Sequence, residues 1–196
     1  MGNGSRPIDD GTLARIGSPP PGPIGLDAKA GSAKQGASMA DRIVSYASRR
    51  RGERVGDGQC FALVDLALRA ADAKSAADYG DISPDADYIW GTSVAFADLR
   101  RGDIIQFRDY TYTRVTVTED DSGTTTDEEE GERPHHTAIV ESVDGGAVTV
   151  WEQNAPEGAA VSRNRLYFTS GTTTSGSRTT TITVSGTFWF YRPEAR

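Results

Sequence analysis

The chain has 196 residues, enough for one domain whose core needs no covalent staples. Its single cysteine excludes an internal disulfide framework and any multi-cysteine zinc site. The net charge of −7 is local, because residues 119–132 hold eight acidic side chains and no basic one, and without them the formal charge is +1.

Nothing in the sequence argues for nucleic acid, since no basic stripe with interleaved aromatics occurs. No apolar stretch approaches membrane-spanning length. The first 30 residues lack the apolar run of a secretory signal, so cytoplasmic residence or a specialised export route is expected.

Residues 1–37 are rich in Gly, Pro, Ser and Ala, include "GSPPPGPIG", and read as a disordered or polyproline-like tail. The domain is expected over residues 38–196. A first helix is read in "SMADRIVSYASRRRG", with Ser38 and Asp41 as a capping pair, Ile43, Val44 and Ala47 on one face, and Gly52 as the stop. A second runs from Cys60 to about Ala73, with Phe61, Val64 and Leu68 on a wide apolar stripe.

Strand grammar follows. "GDIIQF" is a short apolar run, and "YTYTRVTVT" alternates. Residues 117–134 read as an acidic insertion loop, solvated, with room for a cation or a basic partner. "HTAIVESV", a "DGG" turn and "AVTVWEQN" form a hairpin; "SRNRLYFT" and "TTTITVSG" supply two later strands, and "TFWFYRP" closes the chain. Helices first and an antiparallel meander after them make an α+β fold, with N-terminal helices packed on an antiparallel β-sheet.

The hairpin carries the chemistry. A three-residue turn over residues 144–146 pairs Val143 with Ala147, which sets Val140 opposite Val150, Ala138 opposite Glu152 and His136 opposite Asn154. Directly opposed side chains lie about 5 Å apart at Cβ, so an imidazole, a carboxylate and a carboxamide gather on one sheet face. Cys60 stands at a helix N-terminus, where unsatisfied N–H groups favour the thiolate. An imidazole can take the thiol proton and return it to a leaving amine. A third group must fix that imidazole's tautomer and orientation. Gly56 and Gly58 keep the backbone ahead of Cys60 tight and open.

Each residue also has a plain structural reading. Cys60 suits a buried, inert side chain, the His135–His136 pair a surface turn, and Glu152 and Asn154 ordinary strand ends. The constellation as a whole favours nucleophilic catalysis.

The pieces "VGDGQC" before a helix, "LRRGDIIQF", "HHTAIVESV", "VWEQN" and "FWFYRP", in that order over residues 40–194, resemble CHAP-type cysteine amidases. These sit in the papain-like group that also holds NlpC-type peptidoglycan hydrolases. The resemblance implies a papain-like fold, Cys60 as nucleophile, His136 as base and acid, Glu152 orienting His136, and Asn154 supporting the site. His135 stands where the family often has glycine, so either ring is a candidate. Gln59 is a candidate second oxyanion donor beside the Cys60 N–H. Trp90 and Trp151, with Tyr88, are candidates either for groove walls or for core. No metal or organic cofactor is implied. The implied substrate is an amide in peptidoglycan stem or cross-link peptides. Two alternatives stand beside it: a non-catalytic binding module on the same scaffold, and an intracellular cysteine isopeptidase.

Overall fold

The structure, a computed structural model, describes residues 36–196. The expected tail, but for its last two residues, lies outside them.

Helix α1 (Met39–Ser48) starts where the Ser38 hydroxyl accepts the Asp41 N–H at 3.1 Å and donates to the Asp41 carboxylate at 2.7 Å. That satisfies one of the orphan donors of its first turn. It ends at Ser48, ahead of Gly52, whose N–H bonds the Val161 carbonyl at 2.8 Å in a separate turn. Helix α2 (Cys60–Ala70) stops three residues short of the expected end. Asp72 there takes a left-handed conformation (φ 55°), and the Arg42 guanidinium caps the Ala71 carbonyl at 2.7 Å.

Seven strands follow: β1 (Thr92–Val94), β2 (Ile104–Asp120), β3 (Gly123–Asp144), β4 (Ala147–Glu152), β5 (Ser162–Tyr167), β6 (Gly171–Ser175) and β7 (Arg178–Arg192). They form one antiparallel sheet in the order β1-β7-β2-β3-β4-β5, with β6 also on β7. Alternation splits the central strands between two cores. Ile104, Ile139 and Trp151 face α1 and α2, packing with Ile43, Val44, Leu63, Val64 and Leu68. Ile105, Phe107, Ala138, Val140 and Val150 face the other way, with Tyr110, Leu166 and Phe168. Both faces of the central strands are therefore covered, which is why "IIQF" and "TAIV" read as near-continuous apolar runs.

Three sequence expectations are corrected. The acidic segment is strand: residues 123–132 of β3 pair in register with residues 111–120 of β2, so the expected loop over 117–134 is the β2–β3 hairpin, turning at Asp121 and Ser122, at one edge of a long ribbon that β7 and β6 complete. Threonine-rich alternation on the partner strands β2 and β7 supports the pairing, and charge on an outer strand suits an edge. Next, "GDIIQF" and "YTYTRVTVT" are one strand, as are "TTTITVSG" and "TFWFYRP". A bulge at Asp109 (φ 52°) faces Gly186, where a Cβ would lie 2.2 Å from the Asp109 carbonyl oxygen. Glycine is needed there because no other residue leaves room for the bulge.

The third concerns the hairpin. Its turn has two residues, Gly145 and Gly146, with Asp144 opposite Ala147. A bulge between Val140 and Ser142 then absorbs the one-residue error, and Val140 faces Val150 as expected. The ladder ends at Ile139–Trp151, so Ala138–Glu152 and His136–Asn154 are not ladder pairs. Beyond that point β3 and β4 part. No described helix is long and apolar enough to cross a membrane.

Candidate active site

The segment before α2 is held from below. Gln153, wholly buried, accepts the Val55 N–H at 2.6 Å and donates to the carbonyls of Val55 (3.0 Å) and Gln59 (2.9 Å). Asp57 accepts the Gln59 N–H at 2.9 Å. Gly56 and Gly58 take positive φ (60° and 87°), which turns the chain sharply into the helix. Cys60 is then the first helical residue, with its sulfur among the N–H groups of Phe61 and Thr137.

His136, 5 % exposed, reaches this sulfur from β3. Its Nε2 lies 2.9 Å from Glu152 Oε2, which leaves Nδ1 for the thiol. Glu152 is wholly buried and fully used. It receives Arg133 Nε at 2.8 Å, Arg133 Nη2, and Asn164 Nδ2 at 2.8 Å besides the imidazole. Four nitrogens from three residues on two strands, β3 and β5, thus converge on one carboxylate of β4.

The electrostatics follow from these contacts. Burial alone pushes Glu152 up, but Arg133 and His136 outweigh it and hold the carboxyl at about 2. For His136, burial pushes down, yet Cys60 and Glu152 raise it to about 9. Burial pushes the Cys60 thiol up, while His136 and the two N–H groups bring it below its ordinary value. A raised imidazole beside a lowered thiol favours a thiolate–imidazolium pair. With Glu152 and Arg133 the buried charges sum to zero, which limits the desolvation cost.

The two rings of "HH" are separated by alternation. His136 meets Cys60, whereas His135 Nε2 lies 2.9 Å from the Ala86 carbonyl oxygen, with its ring against Tyr88. Asn154, itself at positive φ (65°), turns to Gln59 and not to His136: its Nδ2 donates to Gln59 Oε1 at 2.9 Å. Its Oδ1 accepts the Gly158 N–H at 2.6 Å. Gln59 makes no side-chain cap on α2, and its Nε2 has no partner among the described residues.

A cleft of about 900 Å³ opens over Cys60, lined by Gln59, His136, Asn154, Asn164 and the acidic end of β3. Neither tryptophan lines it. Trp90 is fully buried and donates to Gln106 Oε1 at 3.2 Å, and Trp151 packs in the core beneath the helices. Strand phase explains the second, because Trp151 and Glu152 are neighbours and must face opposite ways. Among the described residues no group of three or more His, Cys, Asp or Glu side chains is placed to hold a metal.

Sequence reading missed Arg133, Asn164 and Gln153. Arg133 carries a signal, as the first basic side chain after the acidic run, three positions before His136. Asn164 depends on β4–β5 pairing, where Glu152 faces Ser162 across a nine-residue connection with no hairpin signature. Gln153 required knowing that the chain turns under the α2 entry.

Residues 19–195 match the family described as the AIM3/BBC1 cysteine proteinase-fold domain. No curated protein and no solved structure matches the chain. The match spans nearly the whole chain, and the chain belongs to the AIM3/BBC1 cysteine proteinase-fold family.

Proposed function

We propose that this domain is a cysteine hydrolase of amide bonds, with Cys60 as nucleophile, His136 as acid and base, and Glu152 as the group that orients His136. The observation that carries this is the run of contacts from Cys60 through His136 to Glu152 at the foot of an open cleft. Thiolate Cys60 attacks the amide carbonyl carbon. The oxyanion is met by the Cys60 N–H and by Gln59 Nε2, whose amide Asn154 holds by its oxygen. The C–N bond breaks as His136 Nδ1 protonates the leaving amine. Water, deprotonated by the same nitrogen, then hydrolyses the thioester and releases the acid.

The substrate reading has two supports. The motif order shared with CHAP-type amidases favours peptidoglycan stem or cross-link peptides. The cleft wall favours a cationic group near the scissile bond, since Glu129, Glu130, Glu132 and Glu157 line it. Only Glu129 of these four has a cationic partner among the described residues, Arg114 at 3.1 Å. No described strand pairs with the outer edge of β3 before Ile139, which suits an extended peptide laid along it. Edge protection alone does not account for the charge. The opposite edge of the same ribbon, β6, reads "GTTTS", exposed and uncharged.

The test incubates the domain and its Cys60→Ala variant with purified muropeptides and, separately, with lysine-rich peptides and isopeptides, and reads products by mass spectrometry. New amine and acid termini made by wild type alone are expected, with cationic substrates preferred. Turnover retained by Cys60→Ala, or no turnover of either set by wild type, overturns the assignment.

A further inference from the structure

We infer that Arg133 is a positioning residue for this site: its guanidinium fork holds the Glu152 carboxylate in the one orientation that presents Oε2 to His136. The inference rests on the hydrolase reading and goes beyond the Cys60, His136 and Glu152 roles.

The side chain of Arg133 is 11 % exposed, in a region of the chain where its acidic neighbours lie in water. It contacts both Glu152 oxygens, Nε to Oε2 and Nη2 to Oε1. Two parallel contacts fix a plane as well as a distance, which a single contact cannot do. Asn164 adds a third N–H to Oε1, so Oε2 is the oxygen shared by Arg133 Nε and His136. Glu152 ends β4 beyond the last β3–β4 pair, so the ladder to β3 does not orient it. The groups that face this carboxylate and ring are Cys60 of α2, Arg133 of β3, Asn164 of β5 and Tyr110 of β2, with Tyr112 of β2 beside Arg133. Arg133 is the sole permanent cation among them.

Positioning and simple charge have opposite signatures at His136. Removing a nearby cation makes imidazolium easier to form and moves the His136 titration up. Releasing Glu152 from its orientation takes away the imidazolium's partner and moves it down.

The experiment is an NMR titration of the full chain, which has two histidines, with His135→Gln assigning the signals. Wild type, Arg133→Met, Arg133→Lys, Glu152→Gln and the double variant Arg133→Met/Glu152→Gln are compared. Arg133→Met is expected to lower the His136 midpoint by about one pH unit or more and to reduce kcat about tenfold or more, with KM changed far less. Arg133→Lys keeps the charge, loses the fork and behaves alike. In the Glu152→Gln background Arg133→Met adds nothing, because its effect runs through the carboxylate. An unchanged or raised His136 midpoint in Arg133→Met, or a wild-type midpoint in Arg133→Lys, overturns the inference. Where Arg133→Met does not fold, Arg133→Lys and the uncharged double variant decide it. A wild-type His136 with an ordinary midpoint overturns the underlying hydrolase reading instead, so the two failures are distinguishable.

Discussion

Glu152 Oε2 sits 2.9 Å from His136 Nε2, although the pairing of their strands ends at Ile139–Trp151, one position from Glu152 and three from His136. Because β3 and β4 splay there, the N-terminus of α2 enters beside them and Cys60 meets the far side of the same ring. The first test is Glu152→Gln, which preserves the shape and removes the charge. It should lower kcat by about 10²–10⁴-fold through loss of the imidazolium's partner and tautomer control, measured on whichever amide substrate wild type turns over. A variant within about threefold of wild type would show that the carboxylate does not orient the ring.

Acid stability has a definite sign. The folded Glu152 carboxyl, at about 2, lies below its ordinary 4.5. A depressed carboxyl contributes stability that is fully present above its unfolded value and is lost as pH falls through its folded value. Thermal melts should therefore show this contribution, a few kcal/mol in order of magnitude, intact above about pH 4.5 and eroding toward pH 2. Glu152→Gln should flatten that limb. An unchanged acid limb in the variant would place the titrating group elsewhere.

Gln153 links the β4 end to the Cys60 loop by three hydrogen bonds. Gln153→Ala leaves the Val55 N–H unpartnered at a buried site, while the Val55 and Gln59 carbonyls keep only the Gly58 and Ala62 N–H groups. The expected cost is about 1–3 kcal/mol in denaturant unfolding, with slower alkylation of Cys60 at neutral pH. Full retention of stability and thiol reactivity would show the loop to be held by Asp57 and the glycines alone.

How much was legible in the sequence depends on whether a signal is local. Ser38 and Asp41, the Cys60 helix start and the apolar phase of "HTAIV" are local, and each appears where it was read. The hairpin register came out right at Val140 and Val150 through two differences that cancel, a shorter turn and an added bulge. The acidic segment was misread because repulsion between its charges argues for a loop, while the threonine-rich partner strand β2 and its ladder lie on another stretch of chain. Asn154 lines the cleft but neighbours Gln59 and not His136, since its left-handed backbone, invisible in composition, aims it there. Arg133 and Asn164 are contacts of tertiary structure, fixed only once β3, β4 and β5 are placed together.

The central claim is that Cys60 is held as a thiolate by His136, and the direct measurement is the pH dependence of Cys60 alkylation by iodoacetamide in wild type and His136→Ala. A plateau of fast alkylation extending well below pH 8 in wild type, moved to alkaline pH in His136→Ala, is the result expected from the pairing. Superimposable profiles, both rising only near the ordinary thiol range of about 8.5, would contradict it.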